Sequence, residues 1–95
     1  MKQPPKYPKG DLRRMLMVLA ALQPTEGATL VTIAEKTGLD KKTVSNLLAQ
    51  AKDQAGVEWE KIGAVYHLRN IGPVFKMEGV KMALRGALNA PIIEP

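Results

Sequence analysis

Ninety-five residues make one domain with a modest core, and the absence of cysteine excludes disulfides, thiolate metal sites and cysteine nucleophiles. A formal net charge of +5 favours a polyanionic partner. No apolar run is long enough to span a bilayer, and prolines stand where a secretory leader needs an apolar core, so the expected setting is cytoplasmic and membrane-free.

Residues 1–10 carry Pro4, Pro5 and Pro8 among Lys2, Lys6 and Lys9, which predicts a flexible basic arm rather than a helix. With Arg13 and Arg14 close behind and only Asp11 in opposition, the arm either tracks phosphates, as in some DNA binders, or serves as a solubilising tail. Asp11 is an N-cap for a first helix to about Leu22, which Pro24 and Gly27 end. Its inner stripe is Leu12, Met15, Leu16, Leu19 and Leu22, with Met17, Val18, Ala20 and Ala21 beside or behind it. A helix apolar nearly all round needs cover on two sides, from the C-terminal helix or from a second subunit.

Ala28-Thr29-Leu30 reads as a short strand, and Val31 to Thr37 as a second helix with Ile33 and Ala34 inward. Gly38 supplies the positive φ that ends that helix, Leu39 plugs the turn, and Asp40 caps a third helix running to about Gln54. Val44, Leu47, Leu48 and Ala51 form its buried stripe, and Gly56 stops it. Val57–Lys61 and Ala64–Leu68 then alternate as two strands, with Ile62-Gly63 near the turn and Trp59 and Tyr66 packed on the helices. After Gly72-Pro73 comes a last helix, about Val74 to Leu88, ended by Asn89-Ala90-Pro91. Its apolar stripe is Met77, Val80, Leu84 and Leu88, and Gly79, Ala83 and Gly86 make a small-residue face. The fold class is mainly α with a small β-hairpin. The chain divides into a basic arm (1–10), a core domain (11–70) and a C-terminal helix and tail (71–95) for packing or dimerisation.

Two helices joined by a short connector with a positive-φ residue and an apolar plug make a helix-turn-helix. Lys41, Lys42, Ser45 and Asn46 leave the protein at the tip of its second helix, and all suit a nucleic-acid groove. Residues 28–69, and above all the run Gly38-Leu39-Asp40-Lys41-Lys42-Thr43-Val44-Ser45-Asn46-Leu47-Leu48, resemble the winged helix-turn-helix of bacterial transcription regulators of the IclR and MarR types. Val57–Leu68 resembles their wing. The resemblance implies a three-helix core plus wing with an extra C-terminal helix, and double-stranded DNA as partner. The apolar first helix and the small-residue face of the last helix either join a homodimer or pack on each other within one subunit.

The resemblance also implies roles. Lys41 and Lys42 contact phosphates or guanine edges, Ser45 a phosphate or base edge, and Asn46 adenine. Thr43 contacts a phosphate or supports the cap, and Gln50 is peripheral. Lys61 at the wing tip, and Lys9 and Arg13 near the arm, complete the expected DNA-binding set. The chain departs from the pattern where Asn46 stands in place of the arginine of many relatives, and where Glu58 and Glu60 lie near Lys61. His67 and Arg69 reach DNA only if the outer face of the hairpin turns to it. His67 has no matched carboxylate or second ligand in view, so no enzyme, metal or cofactor is expected. The competing function is a protein-interaction adaptor on the same fold, which would bind no specific duplex.

Overall fold

The computed structural model describes residues 6–22 and 26–85. Expectations for Lys2, Pro4, Pro5, Pro24, Gly86, Leu88 and the Asn89-Ala90-Pro91 stop lie outside the described residues. The element order is α1 (Leu12–Ala21), β1 (Ala28–Thr29), α2 (Leu30–Thr37), α3 (Lys41–Ala55), β2 (Glu58–Ile62), β3 (Val65–Asn70) and α4 (Met77–Leu84). The chain is mainly α with a small antiparallel sheet.

The Asp11 carboxylate accepts the Arg13 N–H at 2.9 Å and caps α1. The Arg13 guanidinium returns to the same carboxylate at 2.7 Å. The Arg13 side-chain bond, then its backbone N–H, pull the Asp11 carboxyl down to about 2. A depressed acid stabilises the fold above its unfolded value of 3.8 and loses that contribution as pH falls through about 2. The Asp11 carboxyl carbon is therefore expected to titrate in an NMR experiment with a midpoint near 2. A midpoint near 3.8 would contradict the clamp.

Most of the apolar coat of α1 is covered from within the chain. Val18, Ala21 and Leu22 pack with Ala28, Ile33, Val44, Leu48 and Tyr66. Met15 and Leu19 pack with Ala51, Ala55 and Val57 at the far end of α3. Leu16 meets Val80 and Ala83 of α4. Leu12 departs from expectation: it is 53% exposed, because it stands at the mouth of a cleft before the covering elements begin.

Leu30 opens α2 rather than ending β1, because the Thr29 hydroxyl accepts the Thr32 N–H at 3.2 Å and starts the helix there. Gly38, at φ 74°, closes α2 and donates to the Ala34 carbonyl at 2.8 Å. Buried Thr37 donates its hydroxyl to the Ile33 carbonyl at 2.7 Å and accepts the Leu39 N–H at 3.3 Å. These bonds fix the turn, and Leu39 packs against the core from it. Asp40 caps α3 by accepting both the N–H and the hydroxyl of Thr43, at 3.2 and 2.6 Å. Those bonds hold the Asp40 carboxyl below the usual carboxylate range.

The sheet has three strands in the order β1-β3-β2, with Ala28 opposite Tyr66 and Trp59 opposite Leu68. The turn between β2 and β3 is Gly63-Ala64, with Gly63 at φ 62°, one residue later than Ile62-Gly63. A register irregularity between Glu58 and Trp59 leaves Arg69 as an extra residue in β3, which continues to Asn70 opposite Glu58. Gly27 enters β1 at φ 76°, where an added Cβ would lie 2.6 Å from the Tyr66 carbonyl oxygen. Gly27→Ala is accordingly expected to cost more than about 1 kcal/mol in thermal unfolding, from backbone strain plus the clash. An unchanged melting temperature would contradict this packing.

α4 begins at Met77 rather than Val74, because the Gly72-Pro73 turn extends through Val74, which is 62% exposed. Phe75 follows and packs against both the α3-side and the α4-side core clusters. The expected small-residue face divides: Ala83 is buried against Leu16, whereas Gly79 faces open space.

Candidate nucleic-acid interface

α3 buries Val44, Leu48, Ala51 and Ala55. At 100° per residue, the opposite ridge carries Lys42, Asn46, Ala49 and Asp53, all exposed. Lys41, Ser45 and Lys52 line one flank of the ridge. Thr43, Gln50 and Gln54 line the other.

The wing lies on the first flank. The Trp59 indole Nε1 donates to the Leu48 carbonyl oxygen at 2.8 Å, tying β2 to the middle of α3. The Trp59 ring is 5.2 Å from the Tyr66 ring, tilted by 58°, and the Lys52 Nζ lies 3.9 Å from the centre of the Trp59 ring. Trp59→Phe keeps an aromatic ring but removes the donor and part of the packed indole, so it is expected to destabilise the fold by at least about 1 kcal/mol in urea denaturation. No loss would mean that the indole bond contributes nothing.

Register sets which wing charge faces α3. Lys61 pairs with Tyr66, and its Nζ lies 5.5 Å from that ring. Lys61 and Lys41 border one hollow of about 200 Å³ with Val31 and Tyr66. Glu60 pairs with His67 on the other face, where its carboxylate accepts from Arg69 Nε at 3.0 Å. The repulsion expected between Glu60 and a phosphate near Lys61 is therefore reduced by strand parity and by this ion pair. His67 is half-buried in β3 beside Gly27.

On the second flank a cleft of about 410 Å³ separates α3 from the end of the arm and the first turn of α1. Lys9, Asp11, Arg14, Thr43, Asn46, Gln50 and Gln54 supply its polar lining, and Leu12, Met15 and Leu47 its apolar part. Arg13 does not line it. The Arg13 guanidinium is held by Asp11 and lies 4.4 Å from the centre of the Tyr7 ring. Arg14, part of the basic cluster but not of the expected DNA-binding set, does line it, and its buried Nε has no hydrogen-bond partner among the described residues.

The expected residues thus sort by position. Lys42 and Asn46 crown the ridge, Lys41, Ser45 and Lys61 stand on the wing side, and Gln50 and Lys9 stand on the arm side. Thr43 is committed to the Asp40 cap. Sequence reasoning missed Ala49 and Lys52, and placed Arg14 in the basic cluster without a site role; for Lys52, the spacing of seven residues from Ser45 was an available signal. Among the described residues no group of three or more His, Cys, Asp and Glu side chains could hold a metal ion, and no helix is long and apolar enough to cross a membrane.

A helix-turn-helix with capped partners, a sheet-borne wing locked to its second helix, and an exposed polar ridge on that helix define a winged helix-turn-helix. Residues 12–50 match the family model described as the IclR helix-turn-helix domain. The helix-turn-helix segment is thus similar to the IclR helix-turn-helix domain, a DNA-binding domain of transcription regulators. The match ends within α3, so the wing rests on the structure. No curated protein and no solved structure matches the chain.

Proposed function

We propose that this protein is a small sequence-specific regulator of transcription that acts in the cytoplasm by inserting α3 into the major groove of duplex DNA. The observation that carries this reading is the exposed ridge Lys42-Asn46-Ala49, flanked by cations on both sides and free of the chain's own packing. A helix with its side chains is about as wide as the major groove. In that seat Asn46 pairs with the N6 and N7 edge of adenine, Lys42 takes a guanine edge or a phosphate, and exposed Ala49 suits a thymine methyl. Lys41, Ser45 and Lys61 serve the backbone on the wing side, and Lys9 and Gln50 that on the arm side. Arg13 and Thr43 support the interface by bracing the arm and the cap.

Two subunits reading paired half-sites about one helical turn apart would supply the specificity that one helix lacks. With the buried faces of α1 and α4 spent within the chain, such a dimer draws on what α4 leaves exposed, Gly79 and Met82. Selection of bound duplexes from a random pool tests the function. A common motif is expected, as an inverted repeat if the dimer forms, with affinity falling steeply as salt rises. Recovery of no motif and no salt-dependent duplex binding would refute the reading and favour the adaptor function.

A further inference from the structure

We propose that the cleft between the arm and α3 seats one sugar-phosphate strand of the bound duplex, with Arg14 donating to a phosphate oxygen. This rests on the DNA-binding reading above. A helix filling a groove about 12 Å wide has a phosphate backbone along each flank. The wing-side flank offers Lys41, Lys52 and Lys61. The opposite flank opens into the cleft, where Lys9 and Arg14 supply the positive charge.

Three observations assign the occupant. Arg14 lines the cleft, and its Nε, closed to solvent and unpaired among the described residues, gains a partner when the guanidinium turns toward an acceptor seated there. Asp11, the carboxylate in the lining, is already held by Arg13 at 2.7 Å, which lowers its repulsion toward an anion. The α3 side of the lining runs from Thr43 to Gln54, roughly 16 Å along the helix, a trough suited to a strand rather than to a compact ligand. Guanidinium is the side chain best matched to phosphate oxygens, and the apolar Leu12, Met15 and Leu47 reduce the screening around it.

The test uses the whole chain and its selected duplex. Arg14→Gln is expected to lower the salt slope of binding by about 0.9, equally on selected and unrelated duplexes. Arg14→Lys, which keeps the charge, is expected to retain the slope. A scan of methylphosphonate positions with the unaltered protein needs no folded variant. One position should weaken binding of the unaltered protein and have no further effect on Arg14→Gln. Duplex binding with an unchanged slope in Arg14→Gln and no such position would overturn the cleft assignment while leaving the DNA reading intact. Inorganic phosphate that saturates the cleft at sub-millimolar concentration, with that slope unchanged, would assign the site to a free anion and also overturn it. Absence of duplex binding by the unaltered protein would overturn both.

Discussion

Leu48→Ala is expected to destabilise the protein by about 2–5 kcal/mol. Leu48 is 1% exposed and sits in a cluster with Val18, Ile33, Val44 and Tyr66. The side chain comes from the second helix of the helix-turn-helix, so the cavity opens where α1, α2, α3 and the sheet meet. Its carbonyl also accepts the Trp59 indole, so a shift of α3 at this point loosens the wing. Folded domains hold only about 5–15 kcal/mol in total. The variant should thus lose some 10 °C or more in melting temperature, at about 4–8 °C per kcal/mol for a domain of this size. Urea denaturation followed by Trp59 fluorescence measures it. A loss below about 1 kcal/mol would place Leu48 outside the core.

The second large effect falls on binding. Asn46→Ala is expected to cost about 1–3 kcal/mol on the selected duplex and little on unrelated duplex, because a base-reading amide contributes only where its base is present. Lys42→Ala contrasts with it. If Lys42 meets a phosphate, the loss is similar on all duplexes and the salt slope flattens by about 0.9. Both residues are exposed on one ridge, so neither substitution disturbs the core. Equal losses for Asn46→Ala on selected and unrelated duplexes would deny it a base contact.

The helix-turn-helix was legible because its signals are local. Gly38 and Gly56 end helices at positive φ, Asp11 and Asp40 cap helices, and Val44, Leu48 and Ala51 recur at helical spacing. The alternation around Trp59 and Tyr66 likewise marked the packed face of the wing. What stayed hidden depends on partners distant in sequence or on small offsets. The pairing of β1 with β3 joins residues nearly forty apart in sequence, and nothing in Ala28-Thr29 names Tyr66 and Val65. A shift of the turn to Gly63-Ala64 sets the cross-strand register, which places Lys61 opposite Tyr66 and Glu60 opposite His67. Two adjacent arginines differ in fate because Asp11, in capping α1, also captures Arg13 and leaves Arg14 to the cleft. Composition shows the basic cluster, but only geometry separates its members.

The most direct test of the central claim is a 1H–15N titration of the protein with its selected duplex. Insertion of α3 predicts the largest amide shifts from Lys41 to Gln50, with a second set at Lys61 and the wing turn and little change along α4. Shifts confined to α1 and α4, with residues 41–50 unmoved at saturation, would contradict it.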